Sequence, residues 1–142
     1  MHALKHGMDF SDGVEFDVRV DADGELVIFH DEALPKKGPL SPRCIENIHT
    51  SDLINEGVLT LQEVIDDRKF LESWQSGSKT VDIEIKMPHP VVGKSHNEHL
   101  KLIMRKISLM TQDLHLAPRS TIVTSFSPEL SLIHISEPTR RI

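Results

Sequence analysis

Acidic side chains alternate with apolar ones in two strand-like segments of the chain. Glu15 and Asp17 lie in the first segment, and Glu84 and Lys86 lie in a second one further along. Because strand side chains alternate between two faces, each of these pairs occupies one face of its strand. Three carboxylates that lie close together repel one another, and a divalent cation relieves that repulsion. Carboxylate oxygens are hard ligands, so the cofactor that this set predicts is Mg²⁺ or Ca²⁺.

A histidine ends a third strand-like segment, which runs from Leu26 to His30. A histidine titrates near neutral pH, so it can donate or accept a proton during a reaction. Alternation along this segment places His30 on the same face as Leu26 and Ile28. Asp31 follows and could orient the imidazole, although an ordinary role in a turn explains it equally well.

The segments that must position these residues alternate between strand-like and helix-like patterns, which predicts an α/β fold with parallel β/α architecture. We predict strands over 13–20, 26–30, 80–87 and 121–126. We predict helices over 3–8 and 50–55, after Thr60, after Ser95 and after Ser127-Pro128, with a long loop over 31–49. Thr60 with Glu63, and Ser95 with Glu98, have the spacing of a capping box, in which each side chain satisfies a free N–H at the helix start.

In a β/α barrel, the outward face of each strand packs on helices, and inward residues near the carboxyl ends of the strands face the active site. This arrangement would bring the site residues to one mouth of the barrel: Glu15, Asp17, His30, Glu84 and Lys86. The alternative is an antiparallel sheet with one solvent-exposed face, on which alternating charged residues need no further explanation. Helices separate the strands, and hairpin turn signals other than Asp23-Gly24 are mostly missing, which favours the barrel.

Composition narrows the class of protein. The chain has 142 residues, enough for one domain, and a net charge of -6. An acidic surface repels phosphate backbones, which argues against nucleic acid as a partner. No apolar run approaches the roughly 20 residues that a membrane helix needs. Cys44 is the only cysteine, so no internal disulfide can form.

Several motifs, in order along the chain, resemble those of the glycerophosphodiester phosphodiesterase family. The matching pieces are Gly13-Val14-Glu15-Phe16-Asp17-Val18, Asp23-Gly24, Val27-Ile28-Phe29-His30-Asp31, Leu59-Thr60-Leu61-Gln62-Glu63-Val64, Glu84-Ile85-Lys86 and Ser125-Phe126. Each piece alone is weak, but the joint pattern is specific. The fourth piece lacks the proline of the family's PTL-x-E motif.

The resemblance implies a TIM-type (β/α)8 barrel that hydrolyses small-molecule glycerophosphodiesters to glycerol 3-phosphate and an alcohol. It implies that Glu15, Asp17 and Glu84 are metal ligands, that His30 is one of two catalytic histidines, and that Lys86 binds the phosphate. Two alternatives stay open. The protein could be a phospholipase-type phosphodiesterase of the same superfamily, or a non-catalytic module that retains the metal.

The family's HRG motif and its ENT helix start are missing, and Met1 falls about where the residue after ENT would be. A typical barrel of this type needs about 250 residues. We therefore expect a fragment, roughly the first half of the barrel, without its first strand and its later strands. We expect the isolated polypeptide to be inactive and prone to aggregate, because an open half barrel leaves strand edges unpaired.

The end of the chain reads LSLIHISEPTRRI from Leu130 and resembles the in-frame translation of a transposon-based sequencing adapter. We predict a partial domain over 1–129 and a non-native tail over 130–142. A genuine short helix and tail is the alternative. Elsewhere, His96 and His99 share a helix face at a spacing that could bind a metal, but no third ligand is evident, and we expect a solvated first turn.

Overall fold

The structure, a computed structural model, describes residues 1–36, 38–39 and 41–125. Phe126, the helix predicted after Ser127-Pro128 and the predicted non-native tail over 130–142 lie outside the described residues. Five α-helices are present in the described part: α1 His2–Phe10, α2 Thr50–Asn55, α3 Leu61–Ile65, α4 Arg68–Ser76 and α5 His96–Asp113. Seven strands accompany them: β1 Gly13–Val20, β2 Leu26–Ile28, β3 Ala33–Leu34, β4 Arg43–Cys44, β5 Leu59–Thr60, β6 Thr80–Ile85 and β7 Thr121–Thr124.

Five strands form one mixed sheet in the order β5-β2-β1-β6-β7, and β3 and β4 form a separate pair. The pairs β1–β6 and β6–β7 are parallel, which confirms the predicted β/α architecture for these three strands. The pairs β1–β2 and β2–β5 are antiparallel, so the prediction of parallel strands was wrong for β2. Within the described residues the sheet is open rather than closed into a barrel.

The reversal between β1 and β2 has a local cause. Asp21 Oδ1 accepts hydrogen bonds from the backbone N–H groups of Asp23 and Glu25 at 2.9 and 3.0 Å. Gly24 has a φ of +83°, a value that glycine adopts without steric cost. A connection this short cannot carry the crossover that parallel strands require, so the chain turns straight back as a hairpin.

Helices cover one face of the sheet and build the main core. Phe16 and Val18 of β1 point to this face and are buried together with Phe70 and Trp74 of α4. The Phe16 and Trp74 rings meet edge to face, with centroids 6.4 Å apart. Trp74 Nε1 donates a hydrogen bond to Thr121 Oγ1 of β7 at 2.9 Å. The odd-numbered residues of β1 therefore face away from this helical layer.

The helix boundaries follow the caps. The predicted capping box at α3 is confirmed, with both the Thr60 and the Glu63 side chains hydrogen-bonded to backbone. The single helix predicted after Thr60 is instead two helices, because Asp67 accepts a hydrogen bond from Phe70 N–H and starts α4. At α5, Ser95 accepts from Glu98 N–H, as expected for the N-terminus of that helix.

The segment predicted as a long loop over 31–49 is partly structured. It contains the β3–β4 pair and a 3-10 turn, Ile45–Asn47. A second buried apolar cluster, distinct from the main core, holds it in place and consists of Val27, Leu34, Ile45, Leu53 and Val58. Since Val27 lies directly opposite Arg19 in the β1–β2 pair, this cluster covers the face of the sheet that carries the odd-numbered residues of β1.

Candidate active site

The parallel register of β1 and β6 brings the predicted carboxylates together. Asp17 lies directly opposite Glu84, and Glu15 lies opposite Asp82. One carboxylate oxygen from each of Glu15, Asp17 and Glu84 lies within 4.8 Å of the others. Of the five predicted site residues, these three form a single cluster, as a common metal site requires.

The two strand-centre carboxylates are largely withdrawn from water. The side chains of Asp17 and Glu84 are 14% and 13% exposed, and Lys86 Nζ lies 3.7 Å from Asp17 Oδ1 and 3.0 Å from Glu84 Oε2. Burial raises the pKa of the Glu84 carboxyl, the nearby Asp17 carboxylate adds to the rise, and the Lys86 ammonium opposes it. Lys86 thus partly neutralises a pair of carboxylates that would otherwise repel each other.

The donor set fits a divalent cation. Asp17 Oδ1 and Glu84 Oε1 are buried and have no hydrogen-bond partner among the described residues. Buried polar atoms are normally paired, and a bound cation would supply the partner that these two oxygens lack. An all-oxygen, all-carboxylate set suits Mg²⁺ or Ca²⁺ rather than a thiolate-seeking metal.

Backbone hydrogen bonds hold Lys86 and Phe29, the residue before His30, on either side of β1. Lys86 N–H donates to Val18 O, and Phe29 N–H donates to Asp17 O, both at 3.1 Å. β2 ends at Ile28, two residues before the predicted end, so His30 follows the strand rather than belonging to it. Its side chain is 74% exposed, and His30 Nδ1 lies 3.0 Å from Asp31 Oδ1. His30 is not one of the clustered metal-ligand candidates.

The end of β2 also affects the face on which His30 lies. Leu26 and Ile28 pack on the helical side of the sheet, opposite to the carboxylates, so continued alternation would have sent His30 there as well. The chain instead bends at His30, and the His30 carbonyl oxygen accepts a hydrogen bond from Arg19 Nη2 at 3.1 Å. Because Arg19 shares the face of Glu15 and Asp17, this contact brings the His30 main chain to the carboxylate side.

The family model described as the glycerophosphoryl diester phosphodiesterase family matches residues 1–141. The chain belongs to the glycerophosphoryl diester phosphodiesterase family. The matched range includes most of segment 130–142, for which a non-native origin stays a prediction. A search of curated proteins found no match.

Solved structures of glycerophosphodiester phosphodiesterases have a similar fold. The Thermotoga maritima structure is 26% identical, with a TM-score of 0.57 over 89% of this chain and 48% of its own. The Agrobacterium tumefaciens structure is 24% identical, with a TM-score of 0.55 over 92% and 51%. The Parabacteroides distasonis structure is 20% identical, with a TM-score of 0.63 over 90% and 49%.

The chain therefore spans about half the length of the solved structures it matches. The predicted fold class, an α/β fold that forms part of a TIM-type barrel, is confirmed. Among the described residues, no helix combines the length and the apolar character needed to cross a bilayer.

His99 is more deeply buried than the sequence indicated. His99 is 3% exposed, so the expectation of a solvated first turn was wrong for this residue, whereas His96 is exposed. Burial, followed by the charge of Lys94, lowers the pKa of His99 to about 4, so the imidazole is neutral at pH 7. The helical stripe of α5, which includes Leu100 and Ile103, turns His99 towards the sheet.

Arg19 and Glu46, neither of which was predicted to lie at the site, form an ion pair buried from solvent. A signal was available for Arg19. It continues the alternation of Glu15 and Asp17 on one face of β1, and it stands between two valines whose side chains belong to the core. No comparable sequence signal identified Glu46, which lies in the 3-10 turn of the segment predicted as loop.

Proposed function

We propose that this chain is about half of a longer protein, the parent protein, that hydrolyses glycerophosphodiesters to glycerol 3-phosphate and an alcohol in a metal-dependent reaction. The observation that carries the proposal is the convergence of Glu15, Asp17 and Glu84 to within 4.8 Å, beside Lys86. Family membership supports the reaction class, and the cluster supplies a place for the cation.

Glu15, Asp17 and Glu84 would hold Mg²⁺ or Ca²⁺. Such a cation polarises a phosphoryl oxygen and stabilises the negative charge of the transition state. Lys86 would bind a phosphate oxygen, because its ammonium is a compact positive charge held at the rim of the cluster, 3.0 Å from Glu84 Oε2. The positive charge of Lys86 would then lie between the negative carboxylates and the negative phosphate of the substrate.

His30 would exchange a proton with the substrate. With its Nδ1–H donated to Asp31 Oδ1 at 3.0 Å, the ring would present Nε2 as the free base. Nε2 would accept the proton of the attacking hydroxyl or water, or, once protonated, donate one to the leaving alcohol. The 74% exposure of the side chain leaves room for a substrate to reach it.

The experiment measures glycerol 3-phosphate released from glycerophosphocholine by the purified parent protein. We expect turnover that a chelator abolishes and that Mg²⁺ or Ca²⁺ restores. Asp17→Asn should lower kcat by at least about 100-fold, because a metal ligand is lost. Asp82→Asn is the matched control. Asp82 lies on the same strand as Glu84 and contacts Thr124 Oγ1 at 3.2 Å, but it does not belong to the carboxylate cluster.

Three outcomes would contradict the proposal. Turnover that is indifferent to both chelator and Asp17→Asn would remove the metal role. Metal binding with no turnover on any phosphodiester would favour the non-catalytic module. Turnover confined to a phospholipid headgroup, such as a phosphoinositide or sphingomyelin, would support the alternative that the protein is a phospholipase-type phosphodiesterase.

A further inference from the structure

Arg19 is buried near the end of β1, on the face that carries Glu15 and Asp17, and is 2% exposed. Its guanidinium contacts three separate segments of the chain. Nη1 donates hydrogen bonds to Met87 O at 2.9 Å and to Glu46 Oε2 at 3.3 Å. Nη2 donates to His30 O at 3.1 Å. A single side chain thus links the segments that follow β2 and β6 to the 3-10 turn.

Two of these acceptors belong to the segments that carry the chemistry proposed above. One is the carbonyl of His30 itself. The other is the carbonyl of Met87, the residue directly after Lys86. Both segments lie just beyond the regular strands, because β2 ends at Ile28 and β6 ends at Ile85. One backbone hydrogen bond joins each of them to β1 there, from Phe29 N–H to Asp17 O and from Lys86 N–H to Val18 O. Arg19 therefore adds a side-chain hydrogen bond to each segment, one residue beyond the backbone hydrogen bond that joins it to β1.

Glu46 holds the guanidinium in turn. Its side chain is fully buried, and its turn is anchored by the hydrogen bond from Ile45 N–H to Glu32 O at 3.1 Å. Glu32 lies two residues after His30, so the same turn also restrains the loop that His30 begins. A planar guanidinium can serve several acceptors at fixed angles, whereas a lysine ammonium acts as a point charge on a flexible stem.

We propose that Arg19 is a positioning residue, which sets the relative placement of His30 and Lys86 by binding the main-chain carbonyls of His30 and Met87. The inference rests on the proposed function, because it assigns His30 and Lys86 their roles. Burying an arginine costs desolvation free energy that a valine does not, so we assign Arg19 the role of fixing the geometry at the two carbonyls.

The test compares Arg19→Lys and Arg19→Met in the parent protein. We expect kcat to fall by about 100-fold in both variants, since a displacement of catalytic groups by about 1 Å has an effect of that size. The affinity for Mg²⁺ should stay within about three-fold of wild type, because the carboxylates are held by the β1–β6 register and not by Arg19. Arg19→Lys retains the charge, so it is the variant to use if Arg19→Met does not fold.

Arg43→Met is the matched control. Arg43 also links a loop carbonyl to a glutamate, donating to Pro35 O at 3.0 Å and contacting Glu56, but it touches neither strand end of the site. Its replacement should change kcat by less than about three-fold. Comparable losses of kcat in Arg43→Met and Arg19→Lys, in proportion to lost thermal stability, would overturn the proposal.

A second readout does not depend on activity. In protein with ¹⁵N-labelled histidine, the His30 ring signals should shift or broaden in Arg19→Lys, whereas the His49 signals should not change. His49 is anchored elsewhere, with Nδ1 2.8 Å from Asp23 Oδ1. Unchanged His30 signals in a folded Arg19→Lys would refute the positioning role. A wild-type protein without turnover, but with the expected His30 shifts, would refute the proposed function alone.

Discussion

Asp17 and Glu84 lie directly opposite each other on the neighbouring parallel strands β1 and β6. Two acidic side chains in this relationship, 14% and 13% exposed, would repel each other at short range. The Lys86 ammonium moderates that repulsion, and two carboxylate oxygens still have no hydrogen-bond partner in the described part of the chain.

Replacing Lys86 with Met should separate metal binding from turnover. Without the ammonium 3.0 Å from Glu84 Oε2, the carboxylate cluster becomes more negative, so Mg²⁺ or Ca²⁺ should bind more tightly. Turnover should nevertheless fall by about 100-fold, because the phosphate loses its cationic partner. Calorimetric titration with the metal and steady-state kinetics of the parent protein measure the two effects.

Lys79→Met is a suitable control for the Lys86 variant. Lys79 directly precedes β6, and its Nζ donates a hydrogen bond to Ser11 O at 2.5 Å. Lys79 contacts none of the carboxylates of the cluster. The Lys79→Met substitution should leave both metal affinity and turnover near the wild-type values. If Lys86→Met weakens metal binding instead, Lys86 supports the cluster in a way that charge alone does not explain.

The buried His99 should make the protein less stable in mild acid. Its folded-state pKa is lowered from 6.5 to about 4, so below pH 6.5 the unfolded chain binds a proton that the folded chain excludes. Stability should therefore fall as the pH drops from about 6.5 to about 4, by up to about 3 kcal/mol from this group. Urea unfolding at several pH values measures the slope.

In His99→Leu, that part of the pH dependence should disappear. His96→Leu is the matched control, because His96 stands on the same helix and is exposed. Its replacement should leave the pH slope unchanged. Equal slopes for wild type and His99→Leu would show that His99 is solvated or protonated in the folded protein.

The 142-residue chain, expressed without the rest of the parent protein, should be inactive and prone to aggregate. In the described residues, β5 and β7 each pair with the sheet on one side only. Strand edges of this kind recruit other chains. Light scattering and the glycerol 3-phosphate assay test the expectation, with the parent protein at equal concentration as the reference. Turnover by the isolated chain at the level of the parent would contradict it.

Features that depend on local chemistry could be predicted from the order of the amino acids. Alternation in β1 and β6 sorted Glu15, Asp17, Glu84 and Lys86 onto one face of each strand, because a strand repeats every two residues. The capping box of Thr60 and Glu63 marked the start of α3, because both partners lie within one turn. The order of the motifs along the chain was enough to indicate the family.

Which of these strand faces lie against each other depends on contacts between segments that are distant in the chain. The opposition of Asp17 and Glu84 is a matter of register between strands far apart in the chain, and no local pattern encodes it. The antiparallel course of β2, the burial of His99 and the contacts of Arg19 with His30 and Met87 likewise depend on what packs against each segment. Helical spacing predicted which face of α5 carries His99, but packing against the sheet determines that this face is buried from solvent.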